Sequence, residues 1–228
     1  MINERPILVT GHPRSGAGIV MGVLRICGAE LGQVDKMNEN WLIRDKVMKL
    51  YLQEVCGESN GITTIPTKDE FSKEVNDRYE ETLYWMLHLQ NITTKKWAYK
   101  DSRILLTYDS LFDSVYPGAQ YIVVRRNDED ILNSCCKTTH TAFLASSNKR
   151  VSTKKETPLE RFKISLEIYK EKIKELKSQK HIQEVWLEKT LDGDYTELKN
   201  VVEAVGLEWK EQDVKAYITK KLKKRRNK

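Results

Sequence analysis

Gly11 and Gly16, separated by four residues, follow a short apolar run (Ile7, Leu8, Val9) and precede an apolar helical pattern. This is the layout of a strand, a phosphate-cradling loop and a helix N-terminus, where backbone N–H groups and the helix dipole favour an anion. The spacing matches the phosphate loop G-x-x-x-x-G-K-[ST] at its glycines only. Ala17 stands where that loop carries lysine, and Gly18 where it carries the magnesium-binding hydroxyl. The cation lies inside the loop instead, as Arg14, beside Ser15. Pro13-Arg14-Ser15-Gly16 therefore predicts phosphate held by backbone N–H groups and a guanidinium, without the machinery that splits a magnesium nucleoside triphosphate. A glycine-bearing turn with no ligand is the plainer alternative.

A second chemical stretch runs from Tyr121 to Ser134. Tyr121 to Val124 is apolar and β-rich, which predicts a buried strand. Arg125 and Arg126 sit at its end. Asn127 or Asp128 can cap the helix whose apolar face is Ile131, Leu132 and Cys135. Arginine at the strand end and Ser134 two turns into the helix can converge on one anion. Only one of the two arginines can face that anion, because neighbours in an extended segment point opposite ways.

Together these stretches resemble the sulfotransferase family, whose members use 3′-phosphoadenosine 5′-phosphosulfate (PAPS). The family loop P-[RK]-S-G-T-[ST] is matched by Pro13, Arg14, Ser15 and Gly16. The segment R-N-x-x-D-x-x-x-S is matched by Arg126, Asn127, Asp130 and Ser134. A third segment, K-D-P-R, is echoed by Lys100-Asp101-Ser102-Arg103. Val185 to Glu188 and Leu198 to Leu207 look like the late strand and helix, so the resemblance covers roughly residues 6–210.

The resemblance implies a sulfuryl transfer from PAPS to a hydroxyl or amine of a small-molecule or carbohydrate acceptor, with no metal. It places Pro13, Arg14, Ser15, Gly16, Ala17 and Gly18 on the 5′-phosphosulfate, and Arg126 and Ser134 on the 3′-phosphate. Arg14 and Lys100 become the cations at the leaving oxygen. Many members carry a catalytic histidine where Ser102 stands, so the base falls to Asp101 or His12, and His12 is also placed to bind phosphate. Ala17, Gly18 and Ser102 depart from the family pattern. They keep open a nucleotide-binding protein without catalysis and a divergent P-loop nucleotide kinase.

Those residues must be positioned by an α/β scaffold. Further helices are predicted over Gly18–Leu31, Trp41–Val55, about Lys68 to Leu89, and Arg103 to Phe112, with a short strand at Trp97–Lys100. Leu159, Phe162, Leu166, Tyr169, Ile173 and Leu176 form an amphipathic stripe, expected to pack on its own domain. His140 to Thr157 is polar and aperiodic, which predicts a loop. Strands alternate with helices, so the expected fold is a three-layer αβα sandwich with a mostly parallel sheet. All three motifs follow predicted strands and so share the sheet's carboxyl edge, where such folds bind ligands.

The chain has 228 residues, enough for one such domain over residues 1–219. Residues 220–228 hold seven Lys or Arg and no acid; removing them from the net charge of +6 leaves −1 on the rest. Such a basic tail suggests phosphates of nucleic acid or membrane, or simply a solvated terminus. No aromatic is interleaved, which argues against a dedicated nucleic-acid platform. The four cysteines show no metal spacing and suit a reducing compartment. With no transmembrane run and a first strand near Ile7, a cytoplasmic protein is expected. Nothing in the sequence sets the oligomeric state.

Overall fold

The computed structural model describes residues 5–55, 62–65, 73–92, 96–137, 144–147 and 157–226. Four parallel strands form the central sheet: β1 (Ile7–Thr10), β3 (Ala98–Lys100), β4 (Gln120–Arg125) and β6 (Ile182–Trp186), in the order β3-β1-β4-β6. The chain leaves β1 to one side for β3, then crosses back to the other side for β4. That reversal opens a crevice at the carboxyl ends of the strands beside β1. The register aligns Val9 with Lys100 and Thr10 with Val123, so the loops after β1, β3 and β4 emerge together.

Alternation along the strands divides the core. Leu8, Tyr99, Tyr121 and Val123 face one side. There they meet α2 (Trp41–Ile43), a π-helical turn (Arg44–Met48), α3 (Lys49–Val55), α4 (Lys73–Leu89), α5 (Ile104–Thr107), a second π-helical turn (Tyr108–Phe112), α6 (Asp113–Val115) and α8 (Pro158–Gln179). Ile7, Val9, Ala98, Ile122, Val124 and Val185 face the other side. There α1 (Ala17–Ile26), α9 (Leu187–Leu191), α10 (Thr196–Ala204) and α11 (Glu211–Arg226) cover them. Helix α7 (Asp128–Cys136) packs on α8 through Ile131, Cys135, Phe162 and Leu166.

Two expectations shift. Helix α1 ends at Ile26 rather than Leu31, because Gly28 turns left-handed at φ 107° and Ala29 N–H bonds back to the Leu24 carbonyl. The stretch expected as a loop over 140–157 contains β5 (Leu144–Ser147), parallel to β2 (Ile62–Ile65). That pairing joins segments some eighty residues apart, which no local period can signal. The stripe on α8 packs inward as expected, except that Leu159 is exposed. Its capping box, Thr157 with Glu160, and Pro158 at the first position fix where it starts. The expected helix start at Lys68 lies outside the described residues. Among the described residues no helix is long and apolar enough to cross a membrane.

Candidate active site

The loop between β1 and α1 is built on two left-handed residues. Gly16 has φ 95° and Arg14 has φ 76°. For arginine that conformation costs roughly 1–2 kcal/mol, so it marks a position where the local fold is held against its own preference. Its effect is to curl the backbone so that the N–H groups of Gly16, Ala17 and Gly18 open at the N-terminus of α1, all half-buried. The N–H of Ser15 is spent on the His12 carbonyl at 2.9 Å, and that of Ile19 on Gly16 at 2.8 Å. Pro13 contributes its carbonyl, which receives His12 Nδ1 at 2.5 Å. The Leu187 side chain packs over Gly16, so α9 closes the back of the loop.

The second motif meets the first directly. Arg14 Nε donates to Ser134 Oγ at 2.9 Å. Arg126 Nη1 donates to the Arg14 carbonyl at 3.0 Å, and its Nη2 lies 3.8 Å from Asp130. Arg126, Asp130 and Ser134 are successive turns of one helix entrance, as the spacing predicts. Arg125 pairs with Glu184 at 3.6 Å and lies 5.4 Å from the centre of the Trp186 ring, and it lines the same cavity as Arg126. Asn127 caps α7 by accepting from Glu129 N–H, and its own N–H is held by Glu188 at 2.9 Å.

A cavity of about 400 Å³ opens beside Arg126, bounded by Val124, Ile131, Leu166, Tyr169 and Trp186 among others. Arg126 Nε and His12 Nε2 are both buried there without a partner. A guanidinium N–H so placed is an anion donor in waiting, since leaving it unmet is costly. Asp128 on the cavity wall is neutralised by Lys170 at 2.5 Å.

Three expected residues have surroundings that the sequence did not specify. His12 is 4% exposed. Burial lowers its pKa to about 4, against a smaller upward pull from the Pro13 carbonyl. It is neutral near pH 7 and brings no positive charge to the loop. Its ring meets Tyr169 edge-on at 5.0 Å, and Tyr169 bonds Ser102. His12 thus ties the loop to the third motif through α8. Ser15 Oγ is buried under the loop, where a Cβ on Gly11 would come within 2.9 Å of it, and it has no hydrogen-bond partner. Asp101 is occupied. It receives Arg103 Nε at 3.0 Å, Arg103 Nη2 at 2.8 Å, the Arg103 N–H at 2.9 Å and the Tyr99 hydroxyl at 3.0 Å. Burial alone would raise its pKa, but the Arg103 charge and these hydrogen bonds hold it below the ordinary carboxylate value. Such a carboxylate anchors a turn and is a poor base.

Lys100 ends β3 with its side chain 14% exposed and its Nζ 3.4 Å from Glu39 Oε1. Glu39 was not visible as a site residue in the sequence. It lies in the segment Asp35–Asn40, pinned by Arg44, which reaches Asp35 and Glu39 at 3.1 Å each. That segment also explains Gly18. A Cβ there would come within 2.8 Å of the Met37 carbonyl, and Asn38 Nδ2 donates to the Gly18 carbonyl at 2.9 Å. The one available signal was Asn40, an N-cap that fixes the turn before α2 and so brings the acid just ahead of it to a defined place. Among the described residues no cluster of His, Cys, Asp or Glu could hold a metal.

A sequence model of the sulfotransferase family matches residues 6–211. No curated protein matches the chain. Among solved structures, the sulfotransferase STF1 of Mycobacterium tuberculosis H37Rv is 14% identical at TM-score 0.51, over 95% of this chain and 71% of that one. The sulfotransferase domain of the Synechococcus PCC 7002 olefin synthase is 13% identical at TM-score 0.55, over 92% and 76%. STF9 from Mycobacterium avium is 13% identical at TM-score 0.52, over 96% and 68%. At these identities the likeness to the solved structures is one of fold.

Proposed function

The chain belongs to the sulfotransferase family, and from that premise we propose that it transfers a sulfuryl group from PAPS to a hydroxyl or amine of a small-molecule or carbohydrate acceptor. The observation that carries this reading is the junction of the two phosphate motifs, Arg14 on Ser134 and Arg126 on the Arg14 carbonyl. A donor with phosphates at both ends of its ribose needs two anion subsites side by side. The open N–H groups at Gly16, Ala17 and Gly18 suit the 5′ end, and Arg126 with Ser134 suits the 3′ end. The unpartnered Arg126 Nε fits an added phosphate oxygen.

Bound PAPS supplies a sulfur whose bond to the 5′-phosphate oxygen breaks as the bond to the acceptor oxygen or nitrogen forms. The protein's share is positioning and charge. Arg14 spans the two subsites. Lys100, at the carboxyl end of β3, neutralises the leaving oxygen. Glu39, which Arg44 holds 3.4 Å from Lys100, is the carboxylate assigned to receive the acceptor's proton.

Calorimetric titration with adenosine 3′,5′-bisphosphate, with AMP as control, tests the donor site. The bisphosphate should bind at least about tenfold more tightly than AMP, since one charged hydrogen bond contributes roughly 1.5–3 kcal/mol. Equal affinity for the two rejects the 3′ subsite. Transfer of labelled sulfate to a panel of sugars, phenols and amines tests the chemistry. Tight bisphosphate binding with no labelled product favours a binding protein without catalysis.

A further inference from the structure

The two phosphate motifs are braced by the first turn of α9. Strand β6 runs in register with β4 as far as Trp186, which pairs with Arg125. Helix α9 then starts at once, at Leu187. The next position of β4 that points to the β6 side is Asn127. Continuing the register would set it against residue 188, where the chain has already left the sheet. A strand carbonyl is therefore missing at that point of the ladder. The Glu188 side chain supplies the acceptor instead: the Asn127 N–H donates to Glu188 Oε1 at 2.9 Å.

Arg126 is thus bracketed. The residue before it is fixed by the strand ladder and the residue after it by a carboxylate. This settles the side of the sheet on which its guanidinium emerges, where Nη1 reaches the Arg14 carbonyl at 3.0 Å. Asn127 also caps α7, accepting from the Glu129 N–H at 2.9 Å. Its position therefore sets the start of the helix that carries Ser134, two turns on, to Arg14. Leu187, the neighbour of Glu188, packs over Gly16 in the first phosphate loop. Consecutive side chains of α9 thus touch both motifs. Glu188 Oε2 is buried and has no partner among the described residues. An unmet carboxylate oxygen is costly, so a residue kept for packing alone would be apolar, as Leu187 is.

We propose that Glu188 is a positioning residue for the 3′-phosphate subsite: its carboxylate stands in for the missing strand carbonyl and, through Asn127, aims Arg126 and Ser134 at one anion. This rests on the PAPS reading and adds a residue that acts through others. What the side chain supplies is an acceptor rather than a charge, so glutamine can replace it and alanine cannot.

The test compares the wild type, Glu188→Gln and Glu188→Ala by calorimetric titration with adenosine 3′,5′-bisphosphate and with AMP. AMP engages the 5′ subsite alone and serves as the reference. Glu188→Ala should weaken the bisphosphate about threefold or more while AMP stays within about twofold. Glu188→Gln should bind both within about twofold of the wild type, because its amide oxygen accepts the same N–H. Urea unfolding follows the fold; a purely structural role would lower the midpoint without moving the ratio of the two affinities. Hydrogen exchange of the Asn127 amide reads the corner with no nucleotide present, and it should be at least about tenfold faster in Glu188→Ala than in the other two proteins. An unchanged affinity ratio in Glu188→Ala overturns the proposal. So does a loss in Glu188→Gln equal to that in Glu188→Ala, or an Asn127 amide that exchanges alike in all three. If the wild type binds the bisphosphate no better than AMP while its Asn127 amide stays protected by Glu188, the donor reading fails and the hold of the carboxylate on the corner is supported.

Discussion

Acidification should weaken this protein through a single buried ring. His12 is held at about 4 in the folded state against an ordinary 6.5, because burial disfavours its charged form. Between those values the unfolded chain binds the proton and the folded chain does not, so stability must rise with pH across that window. The contribution is fully present above 6.5 and is lost as pH falls toward 4. At about 1.36 kcal/mol per pKa unit the whole effect is ~3 kcal/mol, and roughly 2 kcal/mol of it is gone at pH 5. No discount for solvent screening applies, since the ring is 4% exposed. The assay is urea unfolding at about pH 7.5 and pH 5, on the wild type and on His12→Gln, which cannot take up the proton. The variant is expected to be less stable at pH 7.5, having lost the edge contact with Tyr169, yet its loss between the two pH values should be smaller by about 2 kcal/mol. If both proteins lose the same stability, the proton enters elsewhere and the buried, neutral assignment of His12 is wrong.

Other substitutions separate binding from chemistry and both from folding. Arg126→Ala should weaken adenosine 3′,5′-bisphosphate about tenfold or more while AMP changes little, and equal losses would reject the clamp. Lys100→Ala and Glu39→Gln should each keep most of the nucleotide affinity and lose most of the sulfate-transfer rate, the signature of groups that act on the transition state; wild-type turnover in either would misplace the reacting end of the site. Asp101→Asn should cost about 1–3 kcal/mol by removing the charge from the buried carboxylate that receives Arg103 and Tyr99, seen as a lowered urea midpoint with near-normal turnover per folded molecule. Gly18→Ser, although it restores a family hydroxyl, should destabilise by about 1–3 kcal/mol, because the new Cβ meets the Met37 backbone at 2.8 Å; an unchanged thermal midpoint would show that the Asp35–Asn40 segment yields freely.

The parts of the site that the sequence revealed are those whose geometry is local. A strand, a glycine-bounded turn and a helix start fix where Arg14 and the Gly16–Gly18 N–H groups go. Likewise a strand end and two helical turns fix where Arg126 and Ser134 go, because 3.6 residues per turn leaves little freedom over eight positions. What stayed hidden was decided by side-chain contacts that spacing does not specify, some two residues away and others far along the chain. Asp101 looked available as a base until Arg103 and Tyr99 were seen to fill its lone pairs. His12 looked like a phosphate ligand until α8 buried it against Tyr169. Gly18 looked like a lost contact, whereas its missing side chain is the space into which Met37 descends. That descent fixes Asn38 on the Gly18 carbonyl, and the Arg44 ion pair holds the adjacent Glu39 within reach of Lys100. Ala17 and Gly18 therefore need not signal decay. A chain that trades two hydroxyls for a close-packed segment sets a carboxylate, Glu39, 3.4 Å from Lys100, so the close approach at position 18 shapes the lysine end of the cleft rather than the loop alone.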